Sequence, residues 1–276
     1  MLELQGVKLH PYIMGSARLL KHFAARSPLP QMAEVEIFDP RSQAFYRLVN
    51  AGNNLAFGGL GMPAWVQLDC ATLPSAMFGF AIAREDCALD LWSKLCALVA
   101  RDFGDEAAAE LEGYEGLVPV SEYCALPTPD PEVWVGFSLY ALLPGLALGV
   151  RTKALALHCY GAGRQVGMTQ YTNKAVQTHC AFGALRVVEA HAPPHSRPWD
   201  TFIYEVDVSD AGRLARLVQE GPLVEEGVHE TSRVEVVAGQ TWREVAAQME
   251  AGPVYVVAPG VVEDGGRRWL LLARAR

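Results

Sequence analysis

The sequence predicts an α+β fold, with helices packed on a mixed, largely antiparallel sheet and a small C-terminal β-α-β-β unit. Three observations indicate this class. Short apolar runs bounded by Gly, Pro and Asn recur along the chain, as they do in strands and turns. Residues 86–112 instead carry apolar side chains three and four positions apart, the spacing of an amphipathic helix. Residues 209–276 then alternate strand and helix patterns on a smaller scale.

The first third of the chain is predicted to be an antiparallel meander preceded by one helix. The helix is expected over 16–25 and ends before Ser27-Pro-Leu-Pro, because proline interrupts helical hydrogen bonding. An Asp39-Pro40 turn separates the first two strands. The predicted strands are 33–38, 44–49, 64–69 and 77–82, and the predicted loops are 50–54 and 58–63.

The rest of the chain continues the mixed pattern. The helix over 86–112 is expected to break near Gly104, and prolines at 127, 129 and 131 exclude a helix before the apolar run 133–143. Residues 186–208 are predicted to form a long β-hairpin. In the tail, helices are expected over 210–220 and 241–249, the second capped by Thr241 with Glu244, and strands over 234–237, 254–258 and 269–273.

These elements suggest two domains. Residues 1–208 would form the main α+β body, in which two similar halves could divide near Gly113, and residues 209–276 would form the appended unit. A chain of 276 residues, 51% hydrophobic and 20% charged, is long and apolar enough to bury a large core.

Charge and composition exclude several classes of function. A net charge of -8 and a pI near 5.4 argue against a general nucleic-acid binder, because such proteins neutralise phosphates with Lys and Arg. The longest apolar stretch, 133–148, contains Pro144 and is shorter than the roughly 20 residues of a spanning helix. The N-terminus lacks the pattern of a signal peptide. We therefore expect a cytoplasmic protein without a membrane partner, whose six scattered cysteines are unbridged, mostly buried thiols.

The segment 133–188 carries the strongest indication of chemistry. An apolar run leads into Leu143-Pro-Gly-Leu-Ala-Leu-Gly-Val-Arg-Thr-Lys153; a second run, 165–171, leads into Asn173-Lys-Ala-Val-Gln-Thr-His-Cys-Ala-Phe-Gly183. A strand followed by a glycine turn and a helix aims free backbone N–H groups at an anionic ligand.

This order resembles the central half of the GNAT superfamily of acyltransferases. The resemblance implies a GNAT-like fold, in which the turn binds the pyrophosphate of acyl-CoA and the thioester lies between two parallel central strands. The N–H groups of residues 149–152 would bind pyrophosphate, and Arg151 or Lys153 would supply positive charge. The expected cofactor-binding residues are Gly145, Gly149, Val150, Arg151, Thr152, Lys153 and Asn173.

The sequence departs from the family pattern in several places. Of the matching turn positions Leu146, Gly149 and Arg151, only Gly149 fits. Cys180 stands where the family often has a tyrosine that acts as general acid, and the order of Phe182 and Gly183 is reversed. The predicted catalytic residues are the candidate bases His158, His179 and Glu189, and Cys180 as the donor of a proton to the leaving thiolate.

Three alternatives stay open at this point. His158, His179, His191 and His195 lie close enough in sequence to suggest a metal site, although no bound metal is the favoured expectation. If 153–161 were a strand paired with 165–172, the segment would form an antiparallel sheet typical of a hot-dog-like thioester enzyme. The chain could also be a non-enzymatic binding or accessory protein. A small-molecule substrate is the expected partner, and the chain could pair with a second copy as a homodimer.

Overall fold

The computed structural model describes residues 1–58, 61–223 and 232–274. Its strands are β1 (Leu2–Leu4), β2 (Val7–Gly15), β3 (Ala33–Glu36), β4 (Met77–Ala83), β5 (Leu117–Pro127), β6 (Val133–Ala141), β7 (Arg164–Gln170), β8 (Leu185–Glu189), β9 (Thr201–Asp207), β10 (Ser232–Glu235), β11 (Val254–Asp264) and β12 (Arg267–Arg274). Its α-helices are α1 (Ala17–Ala24), α2 (Gln43–Phe57), α3 (Ala64–Thr72), α4 (Leu89–Phe103), α5 (Asp105–Ala109), α6 (Leu148–Tyr160), α7 (Ala175–Cys180), α8 (Ala211–Glu220) and α9 (Thr241–Met249).

The chain divides into two compact units that interleave along the sequence. The first contains Met1–Pro127, Phe137–Gly161 and Ala211–Gly221; the second contains Thr128–Gly136, Ala162–Asp210 and Pro222–Arg276. Strand β6 contributes residues to both. This grouping cuts across the predicted division at 208/209, because α8 belongs with the first unit and not with the segment that follows it.

The first unit is built on a largely antiparallel sheet in the order β1-β2-β4-β5-β6. Strand β2 pairs antiparallel with β1 and β4, β4 pairs antiparallel with β5, and β3 lies parallel to β2. Helices α2 and α6 pack on β5, and α6 also packs on β4 and α8. The predicted α+β class is therefore confirmed for this unit, and so is the strand predicted over 77–82.

The meander predicted for the first third is wrong in one region. Residues 44–49 and the predicted loop 50–54 form one helix, α2, and residues 64–69 lie in a second helix, α3. The side chains that α2 buries include Phe45, Val49 and Asn53, which recur every fourth position and so share one helical face. The apolar alternation at 44–49 fits a strand only over a short window.

The predicted helix over 86–112 is confirmed, together with its break. Helix α4 ends at Phe103 and α5 begins at Asp105. Gly104 between them has a φ of +90°, a conformation that glycine adopts without the steric cost that other residues meet.

The second unit has a sheet in the order β6-β7-β9-β8-β11-β12-β10. Its pairings are antiparallel except for β6 and β7, which run parallel, with Val133 opposite Arg164 and Val135 opposite Val166. Strands β8 and β9 are the arms of the hairpin predicted over 186–208, which is confirmed.

Residues 232–274 supply the β10, α9, β11 and β12 elements of the second unit. Gly265 and Gly266 join β11 to β12 with positive φ angles, which glycine adopts without steric cost. Thr241 begins α9 but does not cap it, because its hydroxyl oxygen accepts from the N–H of Val237 at 2.8 Å, which precedes the helix. Within the described ranges, none of the helices combines the length and apolar character needed to cross a membrane.

Candidate functional site

The turn that leads into α6 has an uncommon backbone. Gly145 has a φ of +82°, and Ala147, the residue before the helix, lies in the left-handed region at φ 53° and ψ 31°. A residue with a side chain reaches that region at an energetic cost, and such positions concentrate at functional sites. Turns that combine left-handed and right-handed residues can form concavities of N–H groups that bind anions.

Two N–H groups at the start of α6 have no acceptor in the described part of the chain, although one of them belongs to the buried Leu148. Ala147 O accepts from the N–H groups of Val150 and Arg151, both at 3.1 Å. In the described part of the chain, no protein group accepts from the N–H of Leu148 or Gly149. The first turn of the helix contains no acidic residue. The start of α6 therefore retains the partial positive charge of a helix N-terminus.

The guanidinium of Arg151 binds carbonyl groups inside the first unit and does not lie at the surface of the turn. Its Nε donates to Leu146 O at 3.0 Å, and one terminal nitrogen donates to Val218 O and Gln219 O, both at 2.7 Å. The side chain is buried, and burial lowers the pKa of the guanidinium. Arg151 thus caps the carboxyl end of α8 and fixes one carbonyl of the turn.

The next two predicted phosphate-binding residues are completely buried. Thr152 Oγ1 lies 2.7 Å from Ser121 Oγ on β5, and Lys153 has no exposed surface. Val150 is buried as well. The exposed part of the predicted set in the first unit is therefore limited to Gly145 and to the half-buried Gly149.

His158 is not near the turn. It follows Gly149 by nine residues, so it lies about 14 Å further along the axis of α6. Its Nδ1 is 3.2 Å from Ala211 O, and burial is the main cause that lowers the pKa of the imidazole. Residues 152–160 are helical, so the alternative in which they pair as a strand with 165–172 is wrong.

The remaining predicted residues lie in the second unit. His179 and Cys180 are buried in α7, where the His179 ring lies 5.0 Å from that of Tyr204. Asn173 Oδ1 accepts from the N–H of Ala175 at 2.9 Å and so caps α7. Glu189 is exposed at the end of β8. The structure thus groups His179 with Cys180 and leaves Asn173 and Glu189 apart from them.

The four clustered histidines have separate surroundings. His191 stacks on Trp199 with ring centroids 5.0 Å apart, while His195 Nδ1 accepts from the N–H of Arg197 at 3.0 Å. Among the residues that the structure describes, no group of three or more His, Cys, Asp or Glu side chains is arranged to hold a metal ion.

The sequence analysis did not predict a buried carboxyl group that lies in the first unit. Glu122, in the middle of β5, has no exposed surface. Ser138 Oγ donates to its Oε2 at 3.0 Å and in turn accepts from Asn53 Nδ2 at 2.9 Å. No described group donates to Oε1. Burial raises the pKa of Glu122 to about 8, although the bond from Ser138 opposes the shift.

The sequence contains one indication of the buried Glu122: it is a charged residue within an apolar run, Val118-Pro-Val-Ser-Glu-Tyr-Cys-Ala125. Charged side chains are rarely fully buried without partners.

Neither a protein-family model nor a curated protein matches this chain.

Proposed function

We propose that the protein transfers an acyl group from a CoA or carrier thioester to a small amine or hydroxyl acceptor. The observation that carries the proposal is the turn before α6, where the N–H groups of Leu148 and Gly149 have no acceptor in the described chain. Of the two, the N–H of the half-buried Gly149 is the accessible one, and an N–H beside left-handed residues at a helix N-terminus suits a phosphate group.

The order of elements around the turn supports the same interpretation. Strand β6, the glycine turn, α6, β7 and α7 follow one another as the resemblance to the GNAT superfamily requires. Strands β6 and β7 are parallel, which is the relation expected of the two central strands in that superfamily. A helix in place of a strand at 152–160 removes the premise of the hot-dog-like alternative.

The structure reduces the proposed set of phosphate-binding groups. We assign pyrophosphate binding to the N–H of the half-buried Gly149, because Leu148 is only 1% exposed, with Gly145 leaving room for close approach. Arg151 acts on the ligand only through the turn, because its guanidinium is bonded to three carbonyls. Thr152 and Lys153 are buried and do not serve as surface ligands in this proposal.

The chemistry needs two proton transfers. The acceptor nitrogen or oxygen attacks the thioester carbonyl and loses a proton, the C–S bond breaks, and the leaving sulfur ends as a thiol. An imidazole can accept a proton near neutral pH and a thiol can donate one, but the predicted His179 and Cys180 belong to the second unit and the turn before α6 to the first, so we assign them no role at this turn. His158 and Glu189 are not assigned a role, because one lies at the far end of α6 and the other at the exposed end of β8.

Substitution of Gly149 by Asp tests the phosphate site. We expect Gly149→Asp to weaken acetyl-CoA binding by at least about tenfold, because a carboxylate at the first helical turn repels an anionic ligand while it favours the helix itself. Isothermal titration calorimetry with acetyl-CoA and with a longer acyl-CoA measures the effect.

Gly149→Asn is the matched control, since it adds a side chain of the same size without the charge. It should bind acetyl-CoA within about threefold of the wild type. Wild-type protein that binds no acyl-CoA at millimolar concentration would contradict the proposal and favour a non-enzymatic binding or accessory role. Equal losses in the Asp and Asn variants would instead show that size, and not charge, matters at this position.

A further inference from the structure

Three aromatic rings meet at the surface of the second unit. Trp199 lies in the short 3₁₀ turn Pro198–Asp200, Trp242 lies in the first turn of α9, and His191 follows β8. The ring of Trp199 stacks on that of His191 with centroids 5.0 Å apart and an angle of 17° between the planes. The centroids of Trp199 and Trp242 are 4.8 Å apart. We call these three residues the aromatic platform.

One face of the Trp199 ring is open to solvent. The centroids of His191 and Trp242 are only 5.8 Å apart. Two rings centred over opposite faces of Trp199 would be separated by about the sum of their distances from it, which is far larger. Trp242 therefore does not stack on the face opposite His191, and Trp199 is 49% exposed. An open indole face is a surface on which another planar ring can stack.

Hydrogen bonds hold the two tryptophans in place. The N–H of Ala192 donates to Pro198 O at 3.0 Å and so fixes the turn that carries Trp199. Trp242 Nε1 donates to Gly239 O at 3.2 Å. Because the aromatic platform is preorganised in this way, little protein entropy is lost when a ring binds to it.

The charged groups around the platform favour an anion. Arg243 Cζ lies 5.6 Å from the centre of the Trp242 ring. Within the described ranges, no carboxylate forms an ion pair with Arg243 or with the exposed Arg197. A backbone N–H donates to the carboxylate of Asp200, which offsets part of its charge. Glu244 follows Trp242 by two positions, so it lies about 200° further round the axis of α9.

We infer that the aromatic platform binds a purine nucleotide, with the base stacked on the open face of Trp199 and the phosphate at Arg243. A base that stacks on an exposed aromatic ring gains binding energy without any hydrogen bond to its edges. A guanidinium with no carboxylate partner suits a phosphate. A neutral sugar would leave the arginine unused, whereas a nucleotide uses both features. The site lies in the second unit and does not depend on the acyl-transfer proposal.

Titration of the wild-type protein with AMP tests the site. The indole N–H signals of Trp199 and Trp242 should shift in ¹H–¹⁵N NMR spectra and saturate at millimolar AMP. The signal of Trp65, which is 67% exposed in the first unit, should stay in place. Adenosine should bind more weakly by at least about threefold, and glucose should cause no shift. The inference is overturned by an AMP titration without saturable shifts, by an equal shift of Trp65, by equal affinities for adenosine and AMP, or by saturable shifts with glucose.

Variants separate the stacking surface from the charge. Trp199→Ala should weaken AMP binding at least about tenfold, whereas Trp65→Ala is the matched control and should bind AMP as the wild type does. Arg243→Gln, at an exposed position, should weaken AMP binding about threefold and leave adenosine binding unchanged. Thermal unfolding verifies that each variant is folded, and wild-type affinity for AMP in folded Trp199→Ala or Arg243→Gln would contradict the site.

Gly149→Asp distinguishes this site from the proposed acyl-CoA site. Because Gly149 belongs to the first unit, the variant should keep the AMP-induced shifts of Trp199 and Trp242 even where it loses acetyl-CoA binding. Loss of those shifts in the folded Gly149→Asp variant would show that the nucleotide does not bind at the aromatic platform.

Discussion

The free energy of unfolding should fall by about 4 kcal/mol between pH 4.5 and pH 8 because of Glu122 alone. Burial raises the pKa of this carboxyl group from 4.5 to about 8 in the folded protein, and each tenfold change in proton affinity corresponds to about 1.4 kcal/mol. The Ser138 hydroxyl stabilises the ionised form only in part, since no described group donates to the second carboxyl oxygen.

The direction of this change in stability follows from the number of protons that the folded and the unfolded chain each bind. Between pH 4.5 and pH 8 the folded protein keeps the Glu122 proton, whereas the unfolded chain has lost it. A rise in pH therefore favours the unfolded chain. The contribution of Glu122 is fully present below pH 4.5 and is lost as the pH rises to about 8, after which it no longer changes.

Glu122→Gln isolates this effect. The amide keeps an oxygen that accepts from Ser138 and cannot ionise, so the variant should be more stable than the wild type at pH 8 and nearly equal to it at pH 4.5. The neighbouring Tyr12 and Tyr140 do not titrate in this window, because burial raises the pKa of both phenols well above 10. Urea unfolding at a series of pH values measures the difference, and parallel curves for the two proteins would contradict the assignment.

Replacement of Arg151 by Met should destabilise the protein by about 3 kcal/mol, since it leaves three carbonyl groups without their charged donor. Leu146 O belongs to the turn before α6, and Val218 O and Gln219 O end α8. The methionine fills part of the space but donates no hydrogen bond. Hydrogen exchange should therefore accelerate most in α8 and at the start of α6.

The same variant should weaken acetyl-CoA binding at a temperature where it remains folded, because the turn loses the group that fixes its Leu146 carbonyl. Arg216→Met, at an exposed position on α8, serves as the control and should change stability by less than about 0.5 kcal/mol. Unaltered exchange in α8 of the Arg151→Met variant would show that the guanidinium does not hold that helix.

The sequence alone predicts the elements whose local signals agree with one another. Helix α4 carries apolar residues at helical spacing and stops at a glycine with positive φ, and the β11–β12 hairpin has two glycines where its turn requires them. Helix α2 could not be predicted, because a short run at 44–49 satisfies strand and helix periods equally. Only the packing against β5 decides between them.

At the candidate site too, some features follow from local sequence and others only from the tertiary structure. Local sequence indicates the glycine turn at 143–149, because glycine spacing acts over a few residues, but it left 153–161 open between helix and strand, and the tertiary structure shows a helix there. The tertiary structure alone places the guanidinium of Arg151 on α8, which is distant in sequence, and encloses Glu122 beside Ser138 and Asn53. Burial and pKa depend on which distant segments exclude water around a group, and no local pattern of residues contains that information.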